Sequence, residues 1–157
     1  MADINVECIN PFLMAATSVM RSMCQMELQI GKPYVKTTEF GPDSVIIMIG
    51  VTGEMRGQVM LALTTNSALH VVSKMAMMQI DEMNEIATSA VSELGNMIMG
   101  NAATILSTKG IGIDITPPTV CCGSMKINSS YTKNVCIPLA IGNQVIMELD
   151  ISVKSEE

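Results

Sequence analysis

A chain of 157 residues, 48% of them apolar, has material for one well-filled core and fits a single domain spanning 1–157 better than two. Its net charge of −6, with no cluster of Lys or Arg, argues against nucleic acid or an anionic membrane as partner, because phosphate neutralisation dominates such binding. No apolar run approaches the ~20 residues needed to span a bilayer, and the acidic start MADINVECINPF lacks the basic region of a signal peptide, so a cytoplasmic location is expected.

Sixteen Met against no Trp, two Phe and two Tyr predict a core filled by flexible thioethers rather than aromatic rings. The five Cys are odd in number and include no C-x-x-C pair, which fits reduced thiols better than a disulfide framework. Cys121 and Cys122 are adjacent and would point to opposite faces of a strand.

In chain order, Asn10-Pro11 is expected to open the first helix, Asn as N-cap and Pro at the first helical position. Phe12, Leu13, Ala16, Val19, Met20 and Met23 follow at helical spacing, and the helix should fade before Gly31-Lys32-Pro33. Tyr34 to Glu39 suggests a short strand. Ser44–Val51 and Arg56–Thr64 read as a hairpin about the turn Thr52-Gly53-Glu54. Thr65 or Asn66 caps a second helix to about Met78, and a long third helix is predicted from about Met83 to Lys109, stopped by Gly110. Strands are then expected at Ile111–Ile115, Val120–Ile127, Val135–Ile141 and Gln144–Val153, the last two joined by a Gly142-Asn143 turn. The order is helix, strands, helix, then helix and strands again. This implies an α+β fold of helices on a mostly antiparallel sheet, with a faint twofold repetition that breaks near residue 80.

The third helix carries the candidate chemistry. At 100° per residue, Met83, Ala87, Val91, Leu94, Ile98 and Ile105 gather on one side as its core face. Ser89, Ser92, Glu93, Asn96, Gly100 and Ala103 lie opposite. Glu93 and Asn96 are three apart and therefore neighbours, and the residues around them are small, so a partner could approach closely. Gly95 and Gly100 each cost up to about 1 kcal/mol of helix propensity relative to Ala, which suggests that close contact outweighs propensity there. A lone Glu-x-x-Asn could equally belong to a solvated polar face.

The longer pattern is more specific. Ser89-x-x-x-Glu93-x-x-Asn96, followed after 21 residues by Pro118, resembles the signature of the CheC/CheX/FliY phosphatase family. The wording SELGN at 92–96, DITPPTV at 114–120, IGVTGEMRG at 49–57 and SALHVVSKM at 67–75 resembles its CheX branch, over nearly the whole chain. The resemblance implies a CheC/CheX-like fold with pseudo-twofold halves. It also implies a phosphatase acting on the aspartyl phosphate of a CheY-type response regulator. Asn96 would orient the attacking water, and Glu93 would pair with the receiver's lysine. Ser89, Ser92, Gly100 and Ala103 would meet the partner. No cofactor or metal of its own is implied, because the receiver brings Mg²⁺. A homodimer is also implied, and the β-branched content of Gln144–Val153 suggests that strand as the pairing edge.

The pattern occurs once more, as Asp3-x-x-x-Glu7-x-x-Asn10 followed after 22 residues by Pro33. Pro11 argues against its working. A residue before proline avoids the helical region, so Asn10 is expected at the cap and Glu7 ahead of the helix. The single His, His70, reads as structural, and no metal, nucleotide or nucleophile motif is present. Two other functions remain open at this point: a non-catalytic receiver-binding module related to flagellar switch proteins, and a phosphatase for a regulator outside chemotaxis.

Overall fold

The computed structural model describes residues 6–35, 39–127 and 134–155, with backbone alone at 6, 7, 154 and 155. The first helix, α1 (Val6–Cys24), starts a full turn earlier than Pro11 suggests. Pro11 therefore sits inside the helix and leaves the Glu7 carbonyl without its usual amide donor. Cys8 and Ile9 are each 8% exposed and enter the same buried cluster as Phe12 and Leu13. Burial of that extra turn outweighs the lost bond. The expected cap at Asn10 is thus corrected: Asn10 lies within α1, exposed and three residues after Glu7.

Helix α2 (Thr65–Ala76) is capped by the Thr64 hydroxyl, which accepts from the Ser67 N–H at 3.1 Å, and ends at Met77 in the left-handed region. Helix α3 (Glu85–Thr108) begins where the Asn84 side chain accepts from the Ala87 N–H at 2.9 Å. It stops at Gly110, whose φ of 79° lets the Ile111 N–H reach back to the Leu106 carbonyl at 3.0 Å.

Eight strands form the main sheet: β1 (Gln29–Ile30), β2 (Tyr34–Val35), β4 (Ser44–Gly53), β5 (Met55–Thr64), β6 (Ile113–Ile115), β7 (Thr119–Cys122), β9 (Val135–Ile141) and β10 (Gln144–Ser155). A separate pair, β3 (Glu39–Phe40) and β8 (Met125–Lys126), completes the set. All these pairings are antiparallel. The main order is β1-β9-β10-β5-β4-β6, with β2 also on β9 and β7 also on β4. Each half thus contributes a helix, two short strands and a hairpin, and the short strands of one half pair with the hairpin of the other. The central β10–β5 contact joins the halves, which gives the faint repetition a topological form.

Strand β10 is interior, flanked by β9 and β5, so the expectation that it forms a pairing edge is corrected. Its apolar, β-branched content has another cause. Met147, Leu149, Ile151 and Val153 face the helices in the main core, together with Val45, Ile47, Ile49, Val59, Leu61, Ile137 and Leu139 from neighbouring strands. The true edges are the short strands β1/β2 and β6/β7.

The reverse face of the sheet is also covered. Ile46, Met60, Cys136 and Asp150 are each 0% exposed there. Cys136 and Asp150 are direct cross-strand partners, the Ser152 hydroxyl donates to the Asn134 side-chain Oδ1 at 3.4 Å, and the Tyr34 hydroxyl bonds the Glu148 carboxylate. Of the five Cys, all free, Cys8, Cys24 and Cys136 are buried, Cys121 is half-buried and Cys122 is exposed.

Candidate active site on helix α3

The buried stripe of α3 is Ala87, Val91, Leu94, Gly95, Ile98, Met99, Ala102 and Leu106. Met83 and Ile105, expected on the core face, pack against this core but remain partly exposed. The stripe seats the helix against β4 and α1, which leaves the opposite face turned outward. On that face Ser89, Glu93 and Asn96 are exposed, while Ser92, Gly100 and Ala103 are half-buried. The six residues singled out in the sequence therefore share one accessible surface.

Among the described residues neither the Glu93 carboxylate nor the Asn96 amide is hydrogen-bonded or ion-paired, unlike Glu27, which pairs with Arg21 of α1. Both side chains are thus available to a partner. An amide both accepts and donates, and a carboxylate only accepts, so the pair can hold a water molecule and a cation side by side. The segment that carries the pair is acidic. Asp81, Glu82, Glu85 and Glu93 lie along this segment, and no Lys or Arg occurs between Lys74 and Lys109. Such a field favours a cationic docking surface.

The two helical glycines have different causes. A Cβ on Gly95 would lie 2.7 Å from Ile47 Cγ2 and 3.2 Å from Ile49 Cδ1, so this glycine lets α3 settle onto β4. The close contact expected at Gly95 is therefore made inside the fold, with β4. A Cβ on Gly100 would meet nothing within 4 Å, which keeps Gly100 as the open position on the outward face. The motif's proline, Pro118, is not on the helix. It lies half-buried between β6 and β7, in a connection tied to β4 by the Gly50 N–H donating to Thr116 Oγ1 at 2.8 Å.

Of the second copy of the motif, Asp3 and the side chain of Glu7 lie outside the described residues. Asn10 is exposed on α1, so the geometric objection raised by Pro11 does not hold. His70 is exposed on α2, where it borders two open depressions, and is not a core residue. Cys136, Glu148 and Asp150 are a described group whose donor atoms lie within 4.8 Å of one another, but they belong to the reverse face of the sheet, away from α3.

The sequence model described as "Chemotaxis phosphatase CheX" matches residues 45–140, which contain the whole of α3 and Pro118. The chain belongs to the CheX family of chemotaxis phosphatases. A relative within that family, the CheY-P phosphatase CheX of Thermotoga maritima, is 31% identical over 153 residues, covering 97% of this chain and 99% of that protein. The fold agrees as well. A CheC-like superfamily protein from Shewanella sp. PV-4 superposes with a TM-score of 0.84 at 27% identity, covering 98% of this chain and all of that one. The CheX of a CheX–CheY–BeF₃–Mg²⁺ complex from Borrelia burgdorferi does so with a TM-score of 0.81 at 30% identity, covering 96% of this chain and 100% of the other. Within the described residues no helix is long and apolar enough to cross a membrane.

One residue of the outward face escaped the sequence reading. Ile86 is 58% exposed and, by the same 100° rotation, lies within 20° of Glu93 around the helix.

Proposed function

We propose that this chain is a phosphatase for the aspartyl phosphate of a CheY-type response regulator, acting as one 157-residue unit in the cytoplasm. Asn96 is the catalytic amide, and Glu93 is the docking carboxylate. The observation that carries the assignment is the pairing of these two side chains, exposed and three residues apart, on the face of α3 opposite its buried stripe.

Hydrolysis of an acyl phosphate needs an in-line water and stabilisation of spread charge more than covalent chemistry from the protein. The Asn96 carbonyl oxygen accepts a hydrogen bond from the water and aims its lone pair at phosphorus, while the amide N–H₂ is free to donate to a phosphoryl oxygen. A carboxylate at that position would repel the phosphoryl group. Glu93, one turn earlier, pairs with the receiver's lysine and fixes the angle at which α3 enters. Ser89, Ser92, Gly100 and Ala103 keep the approach clear. Mg²⁺ belongs to the phosphorylated partner, where it neutralises phosphoryl charge, and no residue of α3 other than Glu93 and Glu85 offers a carboxylate for it.

The chain is further read as a homodimer. With β10 interior, self-pairing falls to an edge, and of the two edges β1/β2 is favoured because it carries the exposed apolar side chains Ile30, Tyr34 and Val35. Sedimentation at micromolar concentration tests this, and a monomer there contradicts it.

The function itself is tested by the decay of radiolabelled CheY-type phosphate with and without the protein. Catalytic acceleration that falls in Glu93→Ala through a raised KM supports the assignment. Tight binding of the phosphorylated receiver without accelerated decay would identify a binding module instead.

A further inference from the structure

We infer that Ile86 is an apolar anchor that seats the phosphorylated receiver on α3 and sets the affinity of the reaction. The inference rests on the phosphatase reading above and deepens it. Ile86 is 58% exposed, and it is the one large apolar side chain of α3 turned so far into solvent. A single exposed isoleucine needs no explanation by itself. Its position does. Ile86 precedes Glu93 by seven residues, which places it about 10 Å along the axis and about 20° around it. Ile86, Ser89, Glu93, Asn96 and Gly100 thus run as one strip along the face opposite the core stripe.

The occupant follows from the size of a protein contact. A specific interface covers about 800 Å² on each partner, a patch roughly 16 Å in radius. If Glu93 and Asn96 meet the receiver's active centre, Ile86 lies well inside that patch and is desolvated by the same docked body. The composition around it has the pattern of an anchor within a polar rim: Ser89 and Thr88 follow it, and the carboxylates of Glu82 and Glu85 precede it. A shallow depression of about 500 Å³, lined by Met83, Asn84, Glu85, Thr88 and Ser89, adjoins the strip through Ser89 and can receive a side chain from the partner. The acidic rim and the absence of Lys and Arg from 75 to 108 match a receiver surface that presents a lysine beside its phosphoaspartate.

The test is steady-state dephosphorylation of a phosphorylated CheY-type receiver by wild type, Ile86→Ala, Ile86→Leu and Met77→Ala, with affinity for the beryllofluoride-loaded receiver measured in parallel. Ile86→Ala raises KM and Kd about ten-fold, the effect of losing a desolvated branched side chain, with kcat unchanged. Ile86→Leu restores most of the affinity. Met77 is 92% exposed but lies at the end of α2, off the strip, and Met77→Ala leaves both constants at wild-type values. Thermal unfolding of Ile86→Ala stays at the wild-type temperature, which separates docking from folding. If wild type is active and needs Asn96 while Ile86→Ala keeps KM within two-fold, the anchor is wrong and the phosphatase reading stands. If Met77→Ala weakens binding as much as Ile86→Ala, the anchor is likewise wrong. If wild type is inert, both fall together.

Discussion

Adding one methyl group to α3 has opposite consequences at its two glycines, because one faces β4 and the other faces solvent. In Gly95→Ala the new Cβ stands 2.7 Å from Ile47 Cγ2. Carbon atoms normally rest about 3.5–4.0 Å apart, so about 1 Å must be found. Ile47 cannot easily supply it: its side chain is 0% exposed, β-branched and stiff about χ1. Either α3 lifts from the sheet or Ile47 leaves its rotamer. Overpacking of this kind costs about 1–3 kcal/mol, against a helix-propensity gain of up to about 1 kcal/mol. Taken at the middle of the overpacking range, the net loss is about 1 kcal/mol, a fall in Tm of about 2–4 °C for a chain of this size. Gly100→Ala meets no atom within 4 Å, so its propensity gain stands and Tm rises by about 2–4 °C. Circular dichroism melts of the two variants beside wild type decide the matter. A Gly95→Ala protein as stable as wild type or more so would refute the seating of α3 on β4. Gly100→Ala adds a second readout: kcat/KM falls although stability rises, since the methyl stands on the docking face.

Three further outcomes are expected. Asn84→Ala removes the cap bond to the Ala87 N–H and costs about 1 kcal/mol, seen as a Tm about 2–4 °C lower that Asn84→Asp recovers. Burial raises the Cys24 thiol above its ordinary 9.0, with Lys74 opposing, so the folded chain keeps this proton to higher pH than the unfolded chain. Stability from this group is complete below about pH 9 and is lost as pH rises further; Cys24→Ala, whatever its effect at neutral pH, flattens denaturant midpoints measured from about pH 8 to about pH 10.5. Asn10→Ala leaves turnover at the wild-type level, because the working pair is on α3; a loss of about half the turnover would assign activity to the α1 copy as well.

How much was legible in the sequence varied with the kind of signal. Helix α3 was clear because its apolar period, its polar opposite face and the Gly110 stop all agree, and the outward group around Glu93 and Asn96 followed from rotation alone. The start of α1 was not, because Asn-Pro is a strong local start signal and the burial of Cys8 and Ile9 that overrides it is a tertiary effect. Strand β10 had the composition of a pairing edge, but a strand buried on both faces and bonded on both sides has that composition too. Strand β1 is two residues long and exists only through its partner, so no periodicity could reveal it, whereas β2 falls within the expected stretch Tyr34–Glu39 and β8 within Val120–Ile127. Gly95 could not be told from Gly100 until β4 was seen beneath it.

The central claim is that the Asn96 amide does the chemistry while the rest of α3 does the docking. The measurement that tests it most directly is made on Asn96→Ala: its affinity for a beryllofluoride-loaded CheY-type receiver and its rate of dephosphorylating the phosphorylated form. The account predicts wild-type affinity with turnover abolished. Turnover at the wild-type rate would contradict it.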